Sequence, residues 1–464
     1  MHPFRLRTVA GALAATFILA SSFAHAQEDV DQIKRQLDEL DQKIRVLQRL
    51  QEIDKEAAAA KSKETAGVSA GKEGFFIRSA DNAYSLRLGG NIQLDSRWYQ
   101  DKTDPLGGTT DQFILRKVRP VIEGVFYDKI AFRIMSDFGQ GSTVLQDAYI
   151  EYRHNKAVNI RAGKYKPPIG LERLQADSET EFVERSLPTN LVPNRDIGIQ
   201  LGGSVFSDTL SYQIGVFNGN IDNSTVDAET NDQKDYLARV FAEPFRNSPG
   251  FFQGLGVGIA YGIGTQQGTA VSAATANLPQ YKTVGQQNFF VYSAGAFADG
   301  TRERVTPQAY FFNGPYGLMA EYVASEQKVT RSTNVKRDVG SDAWQVSLYW
   351  VLTGEDASFR NPNPAKPYSI GGSGWGAVEL VARYAEQTID DEAFIGTAGT
   401  RLANPAVSAH EARNAGIGAN WYFSRNFKIQ VNYDQTEFDG GGAAAIGGDR
   451  PDEKAIFTRF QANF

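Results

Sequence analysis

The sequence predicts an all-β protein, a sixteen-stranded antiparallel transmembrane β-barrel preceded by an N-terminal coiled-coil helix. Three observations predict it. From Tyr84 onward, apolar and polar residues alternate with a period of two in segment after segment. The breaks between those segments are short on one side and often long on the other, as in outer-membrane barrels. One stretch, Ala162–Arg195, keeps no strand period, is dense in charge and proline, and is too long for an ordinary connection.

The chain opens on a targeting pattern. Arg5 and Arg7 give a positive start, Val9 to Ala20 is apolar, and Ala24-His25-Ala26 forms an A-x-A cleavage site. Residues 1–26 are therefore expected to be a secretory signal peptide. The formal charge of −6 becomes −8 once Arg5 and Arg7 are removed, which gives no reason to expect a nucleic-acid partner. After Ala26 no apolar run approaches the roughly 20 residues that a membrane helix needs.

Residues 27–63 read as a helix. Val30, Ile33, Leu37, Leu40, Ile44 and Leu47 recur every three or four positions among charged residues, an a/d heptad seam. Gln51 and Asp54 take the next seam positions, where the seam fades. Self-association is the expected use of such a seam, a lone amphipathic helix the alternative. Ala57–Gly74 is expected to be a flexible tether, within a linker spanning 64–83, and the barrel domain to occupy 84–464.

In the first barrel segment, Leu86, Leu88, Ile92, Leu94 and Trp98 share one face. Arg87, Asn91, Gln93, Asp95 and Arg97 share the other. Equivalent segments are expected near 84–99, 113–126, 129–139, 144–153, 157–164, 196–205, 209–218, 234–243, 252–263, 302–313, 316–328, 341–353, 375–387, 412–423, 427–437 and 455–464. The even count depends on assigning Phe289–Gly300 to a loop. It also puts both ends of the barrel, and hence the helix, in the periplasm. Gly354–Gly374 is unusually long for its side, and either enters the lumen or stays solvated. Trp98, Tyr99, Phe126, Tyr127, Trp421, Tyr422 and Phe423 lie near strand ends, as interfacial girdles do. The final segment runs to Phe464, in phase with Phe460.

About sixteen strands enclose water rather than a packed core, so the inward face can be charged. If the aliphatic and aromatic set faces lipid, the inward set includes Lys117, Arg119, Glu123, Arg133, Asp137, Asp147, Glu151, Arg153, Arg161, Arg239, Arg304, Glu379, Arg383, Lys428 and Arg459. Arginine does not titrate, and its planar fork donates two hydrogen bonds to one phosphate or carboxylate. A ladder of such groups can pass an anion from site to site. The charged stretch is expected to fold into the pore, its Leu171, Leu174, Phe182, Leu187 and Leu191 packing inside. It brings Lys164, Lys166, Arg173, Arg185 and Arg195, together with Glu172, Asp177, Glu179, Glu181 and Glu184. Arg–Glu pairs that merely hold the loop are the competing role for these charges. Catalysis has little to stand on. Cysteine is absent, and only His154 and His410 remain after the signal peptide, so neither a nucleophile–base pair nor a metal or cofactor site is expected.

Several motifs carry a resemblance. Within Ile114–Asn220 they are RKVRPVIEGVFYDKIAFRIMSDFG, LQDAYIEYR, NIRAGKYKPPIGLE, FVERSLPTNLVPNRDIGIQL and YQIGVFNGN. Further along come LRLGGNIQLD at 86–95, FFNGPYGLMAEY at 311–322, YWVLTGE at 349–355, WGAVELVARY at 375–384 and GANWYF at 418–423. In this order they resemble the phosphate-selective porin O and P family. The resemblance implies an outer-membrane porin, usually trimeric, with an inward-folded third loop. Such porins pass small anions, in some members phosphate or polyphosphate. It places Arg116, Arg119, Arg133, Arg161, Lys164 and Lys166 where the family carries basic residues near its pore. This chain departs from the family at Lys117, where a second arginine is common, and at Pro168, where an acidic residue is. The expected partners are small anions, outer-membrane lipid with lipopolysaccharide, and two further copies of the chain. The alternative is a general, weakly selective porin whose coiled coil serves trimerisation or cell-wall attachment. A barrel that only anchors an adhesive coiled coil is the remaining rival, and it would form no open channel.

Overall fold

A computed structural model describes residues 32–56, 66–71, 74–100, 110–225, 232–331, 335–442 and 448–464. The signal peptide lies outside the described residues, as do the ends of the expected helix. Within that helix 32–56 is helical. Its seam residues Ile33, Leu37, Leu40, Ile44 and Leu47 are all exposed in the single chain.

The sixteen barrel strands are β1 (Ser85–Tyr99), β2 (Gln112–Phe126), β3 (Ile130–Asp137), β4 (Val144–Asn155), β5 (Val158–Tyr165), β6 (Asp196–Val205), β7 (Leu210–Phe217) and β8 (Asp235–Ala242), followed by β9 (Gly254–Gln267), β10 (Ala296–Asn313), β11 (Tyr316–Arg331), β12 (Val335–Val351), β13 (Ala377–Ile389), β14 (Ala409–Tyr422), β15 (Phe427–Gly442) and β16 (Glu453–Asn463). Each pairs antiparallel with the next. The sheet closes where β16 meets β1, with Phe460 opposite Leu94 and Thr458 opposite Ser96. Closure satisfies every strand edge, which a bilayer demands of any β-structure that crosses it.

Alternation decides the two faces. On β14, Ile417 is 62% exposed while Asn414 and Asn420 are fully buried. The wall's outside is apolar and its inside polar, as the period predicts. Several apolar side chains nonetheless face inward: Phe241, Met319, Tyr349, Val381 and Phe457 are buried. The rule that aliphatic and aromatic residues face lipid fails there, because folded-in loops give these positions a dry partner.

Two boundaries also differ from expectation. Ala296–Gly300, assigned to a loop, begins strand β10, and a register irregularity between Ala298 and Arg302 disguises the period there. The expected linker, 64–83, contains two short strands, Gly67–Gly71 and Gly74–Arg78, paired with each other. The second lies along β1, with Phe75 opposite Leu88.

The inward stretch fills much of the barrel. Ile169, Leu187, Leu191 and Val192 join Tyr165, Phe217 and Leu237 in one buried cluster. Leu171 and Phe182 join Phe241, Met319, Tyr349 and Val381 in a second, and Val183 joins Tyr99 and Phe457 in a third. Of the five apolar loop residues expected to pack, Leu174 alone is only half-buried. Phe182 lies under the Arg383 guanidinium at 4.1 Å. Gly416 makes room for it, since a Cβ there would meet Asp434 Oδ1 at 2.5 Å and the Phe182 ring at 3.2 Å.

Backbone inside a barrel needs hydrogen-bond partners, and the wall supplies them. Gln93 donates to the carbonyl of Asp177, Gln461 to Ser178, Gln430 to Thr180 and Glu181, Asn420 to Glu181, and Arg383 to Glu184, at 2.8–3.0 Å. Asn432 accepts from the Val183 amide at 2.8 Å. The long turn-side connection also reaches inward. Phe359 stacks on Tyr310 at 5.5 Å, and Asn361 donates to the Ser178 carbonyl at 2.8 Å.

If Phe182 anchors the loop, Phe182→Ala should cost about 3–5 kcal/mol of docking. Single-channel recordings should then show higher and noisier conductance. A trace identical to the parent protein's would contradict the anchoring role.

Candidate functional site

The loop divides the lumen into two chambers. The one toward the long loops has a volume of about 410 Å³, the one toward the short turns about 910 Å³. Arg119 and Asp177 line both, so their contact marks the junction.

Local irregularities aim the charged residues. Lys117 lies opposite Gln93 and Leu115 opposite Leu94, which leaves Arg116 as an extra, bulged residue on β2. A bulge breaks the two-residue period. Adjacent Arg116 and Lys117 both line the loop-side chamber in consequence. On β4, Asp147 pairs with Met135 and Leu145 with Ser136, so Gln146 is bulged in the same way. Gln146 and Asp147 are both buried.

At the junction, Asp177 sits among four cations. Arg119 Nη1 and Arg185 Nη1 contact its two oxygens, Lys117 Nζ lies at 3.4 Å and Lys166 Nζ at 3.8 Å. Arg119 also donates to Asp137 at 2.7 Å, and Arg185 to the Gln175 carbonyl at 2.6 Å. Above the junction, Glu184 accepts from Arg116 at 2.6 Å and from Arg97 at 2.5 Å. Below it, charges alternate along the wall. Arg87 and Arg133 share Glu123, and Arg133 and Arg195 share Asp147. Arg161 pairs with Glu151 and lies over the Tyr149 ring at 4.5 Å.

The expected site residues divide as follows. Arg119, Arg133, Arg161, Lys166 and Arg195 line the turn-side chamber, and Arg116, Arg119, Arg173 and Arg185 the loop-side chamber. Lys164 lines neither. It is 2% exposed and donates to the Thr225 carbonyl at 2.9 Å. Its place at the end of β5, under the loop, turns it away from the passage. Arg304, Arg383, Lys428 and Arg459 point inward as expected but hold protein. Arg304 pairs with Asp222 at 2.5 Å and Arg459 with Asp95 at 2.6 Å, while Lys428 donates to the Thr180 carbonyl at 2.8 Å. The reading by charge missed the amides Gln93, Asn420, Gln430 and Gln461. Their signal was present, as polar residues on the inward phase of β1, β14, β15 and β16. Arg360, on the long turn Gly354–Gly374 that was expected either to enter the lumen or to stay solvated, lines the turn-side chamber.

Chamber charge is lopsided among the described residues. Eight arginines and lysines line the turn-side chamber against four side-chain carboxylates; six line the loop-side chamber against three. Burial alone would raise the Asp177 carboxyl, but Lys117, Arg185, Arg119 and Lys166 outweigh it and hold it well below the usual carboxylate range. Glu184 is likewise held low, as Arg116 and Arg97 overcome its burial. Carboxylates with depressed values stabilise the fold above their unfolded value and lose that contribution only as pH falls through the depressed one. Asp177 and Glu184 should therefore keep their charge from about pH 8 to about pH 5, while Glu179, raised by burial, and Lys166, lowered by it, line the turn-side chamber as well. Asp177→Asn should then give stronger anion preference than the parent protein in reversal potentials at both pH values; a difference that vanishes at about pH 5 would show that Asp177 has already taken a proton there.

Known proteins give this geometry a context. Residues 86–464 match the family described as phosphate-selective porin O and P. Porin O of Pseudomonas aeruginosa is 22% identical over 401 residues, covering 79% of this chain and 86% of that protein. Among solved structures, the outer membrane channel DcaP of Acinetobacter baumannii has a TM-score of 0.54 at 14% identity, covering 86% of this chain and 100% of that one. OmpT, an outer membrane protein of Vibrio cholerae, has a TM-score of 0.51 at 11% identity, covering 82% of this chain and 98% of that one. The structural likenesses speak for the barrel, and the sequence match over all sixteen strands and the inward loop speaks for more: the chain belongs to the phosphate-selective porin O and P family.

Proposed function

We propose that this outer-membrane porin is an anion-preferring channel for passive diffusion of small solutes such as phosphate. The observation that carries the proposal is the excess of cations in both chambers, together with four cations converging where they meet. A hydrated anion entering from the loop side meets Arg116, Arg173 and Arg185. It crosses at Lys117, Arg119 and Lys166, exchanging with the Asp177 carboxylate. It then leaves along Arg133, Arg161 and Arg195. Asp177 keeps each stay short, because it already occupies the donors that the solute needs. Binding weak enough to release is what conduction requires.

A second reading, a general and weakly selective porin, draws on a different observation. Most of the wall arginines are already paired with Glu123, Asp147 or Glu151. Such pairing lowers the field felt by a passing ion. Reversal potentials in a potassium chloride gradient separate the two readings.

The exposed helical seam of 32–56 supports self-association of the chain, a homotrimer by the family's habit, with the helix in the periplasm and the barrel rim in lipid and lipopolysaccharide. We place a signal peptide at 1–26.

Wild-type channels should show chloride preference, and Arg119→Glu should reduce the anion-to-cation permeability ratio several-fold. Cation preference in the parent protein would refute the proposal. Asp177→Asn should lengthen anion residence, so that phosphate blocks chloride current at concentrations at least about tenfold lower than in the parent, one such factor being about 1.4 kcal/mol. Unchanged block would remove Asp177 from the path. Leu40→Asp should abolish trimers in cross-linking without changing conductance per channel; intact trimers would show that the seam is not the contact.

A further inference from the structure

The two chambers differ in more than volume. Among the described residues, Val144 and Val183 are the branched apolar side chains on the loop-side chamber, and the rest of its lining is almost wholly polar. The turn-side chamber carries an apolar strip beside its arginines. Val121 and Met135 are cross-strand partners there, and Tyr149 pairs across the strands with Arg133. Leu174 and Ala176, at the tip of the inward loop, line the same space. Ala176 is exposed and Leu174 and Tyr149 are half-buried, so the strip is open to what passes at these three, while Val121 and Met135 line it with little exposed surface.

Arg161 supplies the polar half of the arrangement. Its Nε and Nη2 donate to Glu151, and its plane lies over the Tyr149 ring at 4.5 Å and the Tyr165 ring at 5.2 Å. Nη1 makes no hydrogen bond among the described residues, and the side chain stays 31% exposed. One free guanidinium donor therefore stands beside an apolar surface.

A small hydrated anion gains nothing from such a surface. An anion with an apolar body gains on both counts, because its carboxylate reaches the donor while its carbon skeleton leaves water against the strip. We propose that the turn-side chamber is a subsite for organic monocarboxylates with an aromatic or branched apolar body, the carboxylate on Arg161 and the body against Met135, Tyr149 and Leu174. The proposal rests on the anion-preferring reading and adds a substrate class to it.

The test uses the full-length channel in planar bilayers in potassium chloride, with benzoate, acetate or phosphate added to both sides. Benzoate should interrupt the current at concentrations at least about tenfold lower than acetate or phosphate, a factor of ten being about 1.4 kcal/mol. Met135→Gln on the wall and Leu174→Gln on the loop should each weaken the benzoate effect at least about fivefold while leaving the chloride reversal potential in place. Two variants on separate elements keep the test informative if one fails to form channels. Equal potency of acetate and benzoate would overturn the subsite, as would benzoate block that neither variant alters. Loss of anion preference in the parent protein, without added organic acid, would overturn the underlying reading instead.

Discussion

Peptide carbonyls cannot be carried into the middle of a barrel without donors to meet them. The stretch from Asp177 to Glu184 runs through the lumen, and the wall meets it with Gln93, Gln461, Gln430, Asn420 and Arg383. These bonds, with Phe182 seated against Gly416, fix where the loop tip stands. The tip in turn puts Asp177 against Arg119 and splits the passage into two chambers. If those donors were absent, the same loop would be a mobile flap and the sixteen strands an unobstructed tube.

Charge inside the barrel is divided between two tasks. On the side of β10 to β16, Arg383 and Lys428 are bound to carbonyls of the inward loop and hold it, while Arg304 is bound to Asp222 of the connection after β7. On the side of β2 to β5, cations face space. They too have carboxylate partners, but those partners are shared: one Glu123 serves Arg87 and Arg133, and one Asp147 serves Arg133 and Arg195. A shared carboxylate leaves its arginines with donors to spare. Arg133 and Arg161 keep 27% and 31% of their side-chain surface exposed, against 1% for Arg459. Sharing alone does not free an arginine, since Arg302 and Arg304 share Asp235 and stay buried; what separates the buried arginines from those that face the chambers is which wall the loop leans on.

The strands were legible because lipid and water impose opposite chemistry on adjacent residues, and a period of two survives in any single sequence. The inward loop was legible because Leu171, Phe182, Leu187 and Leu191 make no sense in solvent. What remained hidden depends on partners rather than on order along the chain. The bulge at Arg116 exists only relative to its register with β1, so strict alternation would have sent either Arg116 or Lys117 outward. Lys164 sits in phase with the lumen, yet the loop and Thr225 close over it. Ala296 begins a strand that a register shift disguises, and Gly74–Arg78 becomes a strand because the edge of β1 is there to receive it. The amides that hold the loop carry no charge, and a reading that weighed charge alone passed over them.

The proposed corridor of positive potential meets the loop tip at Ala176. The chain contains no cysteine, so a single introduced thiol reports on its own position without background. Ala176→Cys at the tip, in channels open to both sides, should react with an anionic methanethiosulfonate reagent several-fold faster than with a cationic reagent of the same size. Equal rates, or faster reaction with the cation, would contradict the account.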